Sequence, residues 1–151
     1  MRIVEVCGAL VLGSLLCGSV RAATAPASPE GNWLTQDRKG VIFIAKCGAA
    51  FCGDIIGVTD FGPDGSPPRD TKGVSDCHLR IVRDMVPAED GRFQGTITNP
   101  RNGNVYHANM WVADDGTLRL RGYVLLPMFG ETQTWTPFAG KPTPDCHFSL
   151  K

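Results

Sequence analysis

Apolar and polar residues alternate along most of the chain, with the two-residue period of strands that bury one face. No stretch of about ten residues or more carries a convincing helical apolar period, so we expect little helix. The alternation predicts eight strands, at residues 32–35, 41–46, 54–59, 78–85, 92–98, 104–112, 117–125 and 131–138.

Turn motifs rich in Asp, Asn and Gly, such as Asp114-Asp115-Gly116, separate most of these strands. Closure into an up-and-down barrel pairs every strand and leaves no exposed edge. A two-sheet sandwich is the alternative, but it favours long crossing connections, and only residues 60–76 form one here. We therefore expect an all-β fold, a small antiparallel up-and-down barrel of about eight strands.

The same alternation assigns side chains to the two faces of a strand. The core set that we predict is Tyr106, Ala108, Met110 and Val112 in one strand and Leu118, Leu120 and Gly122 in the next. A barrel of this size is either filled by its side chains or holds one small ligand, and the pattern leaves both alternatives open.

Composition and charge narrow the class of protein. The 42% hydrophobic content argues against disorder despite 18 Gly and 11 Pro. Fifteen Lys and Arg balance fifteen Asp and Glu, which excludes the strongly basic face of a nucleic-acid binder. We expect a monomer with no nucleic-acid partner, and the sequence identifies no protein partner.

Residues 1–22 have the pattern of a signal peptide: Arg2, an apolar run at 6–20, and small residues before Ala23. A retained anchor and a lipid on Cys17 are the alternatives, although the run is shorter than the roughly 20 residues of a transmembrane helix. We expect export to the periplasm and no transmembrane segment after processing. The expected organisation is a flexible leader at 23–30, the barrel at 31–138 and a C-terminal tail at 139–151.

Four cysteines then remain, and an even number in an exported chain predicts two disulfides. Of the three pairings, we prefer Cys47 with Cys52 across a short hairpin-like loop, and Cys77 with Cys146, which ties the tail back. The tripeptide Asp-Cys-His occurs at 76–78 and 145–147, and a zinc site is its alternative interpretation. We expect structural disulfides, with no metal and no cofactor.

Five short motifs occur in order between residues 30 and 138: GNWLT, C-x4-CG, NPRNGNVY, LRLRGY and GETQTW. Together they resemble the bacterial exported family called domain of unknown function 2147. The resemblance implies a lipocalin-like barrel and a periplasmic protein of Gram-negative bacteria, and it implies no activity. The chain has Glu131 and Pro137 where the family usually has basic residues, which puts a cationic role at those positions in doubt.

A set of aromatic and polar side chains makes up our candidate ligand-binding residues: Trp33, Tyr106, Arg119, Arg121, Tyr123, Gln133 and Trp135. If the last five face inward together, arginine with Tyr and Gln would hold the carboxylate or phosphate of a lipid-like ligand such as a fatty acid. The alternative, which we favour, is that these side chains form a ladder on the outside of the barrel, an exterior ladder, with Trp33 or Trp135 closing one barrel end.

The residues Leu125, Leu126, Met128 and Phe129 form a candidate portal or contact loop, and a lid over the barrel end is the alternative. His107 is a candidate general base without a nucleophile or a paired carboxylate, so we expect no catalytic residues and no enzyme. The predicted function is a non-enzymatic module that binds a small apolar or amphipathic molecule. The alternative is a structural or protein-interaction module of the cell envelope.

Overall fold

The computed structural model describes residues 26–150, which form a closed antiparallel barrel with its eight strands in chain order. The strands are β1 (Gly31–Leu34), β2 (Gly40–Cys47), β3 (Ala50–Val58), β4 (Arg80–Pro87), β5 (Phe93–Thr98), β6 (Val105–Val112), β7 (Leu118–Tyr123) and β8 (Glu131–Pro137). One 3-10 turn, Pro127–Phe129, precedes β8. The predicted fold class is confirmed. The predicted signal peptide at 1–22 lies outside the described residues.

The tight turns between strands depend on residues that tolerate a positive φ. Gly91 and Gly116 adopt φ values of 73° and 77° in the turns after β4 and β6, a region that glycine reaches without steric cost. The largest difference from the predicted strands is at β3, which begins at Ala50 and not at residue 54. The pairing between β2 and β3 continues as far as Cys47 and Ala50, directly beside the turn.

One end of the barrel is filled. The turns after β2, β4 and β6 lie at this closed end, and Phe51 and Phe93 meet there edge to face with ring centroids 5.1 Å apart. Met110 and Leu118 are fully buried beside them. Ala108 and Leu120 also belong to the core cluster, so these four predicted core residues are confirmed.

The chain next to β1 also packs at the closed end. Pro29 is fully buried, and its carbonyl oxygen accepts a 2.8 Å hydrogen bond from Nε1 of Trp33. Pro29 of the predicted leader is therefore packed against the barrel, while Ser28 and Glu30 on either side of it are exposed.

The C-terminal tail covers the outer face of β1–β3. Val41 is buried although it points away from the barrel interior, and a Cβ added at Gly57 would lie 2.8 Å from Phe148. The amide of Val58 donates to the carbonyl of Cys146 at 2.9 Å.

Both disulfides have the preferred pairing, Cys47 with Cys52 and Cys77 with Cys146. Within residues 26–150, no helix has the length and apolarity needed to cross a membrane.

Candidate ligand-binding cavity

The other end of the barrel is open and encloses a cavity of about 430 Å³. The turns after β1, β5 and β7 and the long connection after β3 surround this open end. The walls are mostly apolar and include Ile42, Ile55, Val58, Ile81, Ile97, Leu120 and Trp135. Gly122 also lines the cavity, and a Cβ added there would make only ordinary contacts, at 3.8 Å from Ile97 and Tyr106. The missing side chain of Gly122 therefore contributes to the open volume.

Charged side chains tie together three of the loops around the mouth. Nζ of Lys39 lies 3.0 Å from Oδ2 of Asp60, and Nη2 of Arg101 lies 3.5 Å from the same oxygen. The hydrogen bond from Lys39 lowers the pKa of Asp60, and the charges of Lys39 and Arg101 lower it further. Both cations that line the cavity thus face a carboxylate of the protein itself.

Asp76 is the buried acid of the cavity lining. Its side chain is only 3% exposed, and its Oδ1 has no hydrogen-bond partner among the described residues. Burial raises the pKa of Asp76, although the nearby charge of Arg101 opposes the shift. In the sequence, Asp76 stands out only as part of the Asp-Cys-His repeat, and no local signal predicts its place in the cavity.

Three of the candidate binding residues line the cavity: Tyr106, Gln133 and Trp135. Nε1 of Trp135 donates to Oε1 of Gln133 at 2.8 Å. The hydroxyl of Tyr106 accepts from the amides of Asn104 and Asn102, at 3.3 and 3.5 Å, which lowers its pKa. Because this hydroxyl accepts both bonds, its own hydrogen remains available to donate. Trp33, the fourth inward-facing candidate, packs in the core instead.

Arg119, Arg121 and Tyr123 lie on the outside of the barrel, so the prediction that they share a face with Gln133 and Trp135 is wrong. Directly opposed residues of neighbouring strands share a face, and the register opposes Arg119 to Thr134 and Arg121 to Thr132. Each guanidinium donates to the threonine hydroxyl opposite it at 2.7 Å. The exterior ladder thus describes the two arginines, whereas Gln133 and Trp135, which belong to the same candidate set, line the cavity.

His107 is also on the exterior, where its ring centroid lies 5.6 Å from that of Tyr123. It does not line the cavity. The one imidazole considered as a general base is therefore separated from the open volume by the barrel wall.

The apolar loop, residues 125–129, projects from the open end without covering it. Leu125, Met128 and Phe129 are 83%, 73% and 78% exposed, so the lid alternative does not describe this structure. Arg121 fixes the loop from outside, because Nε donates to the carbonyl of Pro127 at 2.6 Å and Nη2 to that of Met128 at 3.2 Å.

The sulfurs of Cys77 and Cys146 and a ring nitrogen of His78 lie within 4.8 Å of one another. The two sulfurs are bonded to each other, and a disulfide does not supply the thiolate ligands of a zinc site. His78 instead places Nε2 2.8 Å from the carbonyl oxygen of Pro144, and His147 stacks on Phe61 with centroids 3.7 Å apart. In both copies of the Asp-Cys-His tripeptide, the cysteine and the histidine therefore make structural contacts.

Two comparisons with known proteins, one with family models and one with solved structures, are consistent with the barrel fold. A family model described as an uncharacterized protein conserved in bacteria (DUF2147) matches residues 31–137. Among solved structures, protein HP1028 from Helicobacter pylori, described as belonging to the lipocalin family, superposes with a TM-score of 0.60. It is 18% identical, and the match covers 77% of this chain and 85% of that one. A search of curated proteins gave no match.

Proposed function

The chain belongs to the bacterial DUF2147 family, and from this premise we propose that it is a non-enzymatic module that binds one small apolar or amphipathic molecule. The resemblance that the five motifs indicated is thereby confirmed, and the lipocalin-like barrel with it. The family's description carries no activity, so the proposal depends on the cavity.

The observation that carries the proposal is the half-filled barrel. The open end holds about 430 Å³ with largely apolar walls, within the range of roughly 300–1,000 Å³ for small-molecule sites. Strands build these walls, and the closed end is packed by Phe51, Phe93 and Met110. A site formed by strands over a packed core needs little ordering when a ligand enters, which favours binding.

In this proposal the apolar loop is the portal. It follows β7 at the open end, and its neighbour Glu131 lines the cavity. An exposed apolar segment at a cavity mouth gives an amphipathic ligand a surface to contact on entry.

The two disulfides support a location in an oxidising compartment. With the signal-peptide pattern at 1–22, they are the basis for proposing export to the periplasm. Cell fractionation followed by mass measurement tests this step: a chain that begins at Ala23 is expected in the periplasmic fraction, and a chain that begins at Met1 and stays in the cytoplasm would contradict it.

Titration with Nile red, a neutral apolar dye, tests the cavity. Gly122→Phe places a ring in the open volume, and we expect at least about a tenfold loss of affinity. Val105→Phe is the matched control, because Val105 is 63% exposed on the outer face of β6. Equal dye binding by the unmodified protein and Gly122→Phe would contradict the proposal, since the dye would then be bound at the surface.

The exposed apolar loop favours a second candidate function, contact with a protein of the cell envelope. Capture of a defined partner that is lost in both Met128→Asp and Phe129→Asp, with dye binding in the cavity unchanged, would support this alternative. An unchanged set of captured proteins would count against it.

A further inference from the structure

Asp76 is held in place by the chain around it. Its amide donates to the carbonyl of Pro68 at 2.8 Å, and its own carbonyl accepts from Leu79 at 3.1 Å. The next residue, Cys77, is tied to the C-terminal tail through Cys146. The carboxylate is thus part of a fixed segment of the cavity wall.

Oδ1 of Asp76 is buried without a hydrogen-bond partner in residues 26–150. An unsatisfied buried acceptor is costly, and in a native protein it requires an explanation. Because Asp76 also lines the cavity, a ligand with a hydrogen-bond donor would supply the partner that its carboxylate group lacks.

The charge of the lining favours a cationic donor. Four carboxylates line the cavity, those of Asp37, Asp60, Asp76 and Glu131, against the two cations Lys39 and Arg101. Both cations contact Asp60, which leaves an excess of negative charge around the open volume. A carboxylate or phosphate head group would be repelled here, whereas an ammonium group would be attracted.

From this geometry we infer the ligand class: a protonated primary or secondary amine on a compact apolar body, with its N–H groups donating to Asp76. The inference rests on the proposed binding function and names its ligand. The apolar body lies against Ile42, Ile97 and Leu120, which line the same cavity as Asp76. It replaces the fatty acid suggested by the arginines, which lie outside.

Calorimetric titration at neutral pH with four probes of one chain length tests the inference. The probes are octylamine, octanoate, octanol and octyltrimethylammonium, which carries the charge without an N–H donor. We expect octylamine to bind at least about tenfold more tightly than octanoate and octyltrimethylammonium, as charge-assisted hydrogen bonds are strong.

The variant Asp76→Asn keeps the side-chain shape and removes the charge. We expect it to lose the preference for octylamine and to keep its affinity for octanol, which also shows that it is folded. Glu131→Gln is the matched control, because Glu131 lines the same cavity at its rim. An equal loss in both variants would overturn the role of Asp76 as the acceptor.

The remaining outcomes separate this inference from the proposed function. Octanoate binding as tightly as octylamine, or octyltrimethylammonium binding as tightly, would overturn the amine assignment, while octanol binding would leave the apolar site intact. Binding of none of the four probes would overturn the amine assignment and the proposed function together.

Discussion

Trp135 and Gln133 are joined inside the barrel by a hydrogen bond of 2.8 Å from the indole Nε1 to the amide Oε1. Trp135 is only 1% exposed, while Gln133 is exposed at the open end. The bond therefore connects the packed half of the barrel to the rim of the cavity, so that substitution of Trp135 acts on both stability and binding.

Replacement of Trp135 by Phe is expected to lower the free energy of unfolding by about 2 kcal/mol, since it removes the hydrogen bond and leaves unfilled space. Urea denaturation measures the loss. Trp111→Phe is the control, because Trp111 is half-buried on the outer face under the guanidinium of Arg92, 4.2 Å away. Its expected loss is about 1 kcal/mol or less, and an equal effect of the two substitutions would contradict the placement of Trp135.

The two disulfides are expected to stabilise the protein unequally. The Cys47–Cys52 bridge joins residues 5 apart in the sequence and the Cys77–Cys146 bridge residues 69 apart. Loop entropy predicts losses of about 2 and about 4 kcal/mol when each pair is replaced by alanines. Equilibrium denaturation of the two double variants checks the order. A larger loss from the short bridge would show that native-state contacts dominate.

The strands were predictable because two independent signals coincide: two-residue alternation and Asp/Asn/Gly turns. The prediction failed locally where one signal was missing. The segment around Ala50 is rich in small residues, which favours a loop, yet cross-strand pairing with Cys47 makes it strand. The predicted strand at 117–125 runs past Tyr123, because alternation cannot detect the turn around Pro127 that ends β7 early.

The site was less predictable, because it depends on how strands are offset from one another. Alternation shows that Arg119 and Arg121 share a face, but the register with β8 is set by the connection at 124–130. The burial of Asp76 follows from the long connection after β3 and from the bridge at Cys77. Neither has a local sequence signal.

The C-terminal tail is expected to contribute to stability through Phe148. This half-buried ring packs at Gly57 beside Val41 on the outer face of the barrel. Phe148→Ala should lower the free energy of unfolding by about 2 kcal/mol, because it uncovers apolar surface. Phe129→Ala is the matched control, since Phe129 is 78% exposed. A loss as large in the control would contradict this account.

Asp76→Asn is expected to stabilise the unliganded protein at neutral pH, by about 1 kcal/mol, since it removes a buried charge without a partner. The pKa of Asp76 is raised by burial, with Arg101 opposing and Asp70 adding to the shift. Its folded form therefore holds the proton more tightly than the unfolded chain, and stability from this group is lost as pH rises through the folded pKa. Unfolding curves across pH should show the variant's advantage vanishing toward acid pH. An advantage that persists at acid pH would contradict this.

Asp60→Asn is expected to show the opposite pH dependence. The hydrogen bond and charge of Lys39, with the charge of Arg101, lower the pKa of Asp60. The ionised carboxylate thus favours the folded state above the unfolded pKa, and this contribution is lost as pH falls through the folded pKa. The variant should melt slightly below the unmodified protein at neutral pH and low salt. Because these charges are exposed, high salt should remove the difference. A deficit insensitive to both salt and pH would show that the three residues at the mouth stabilise the barrel by packing instead of by charge.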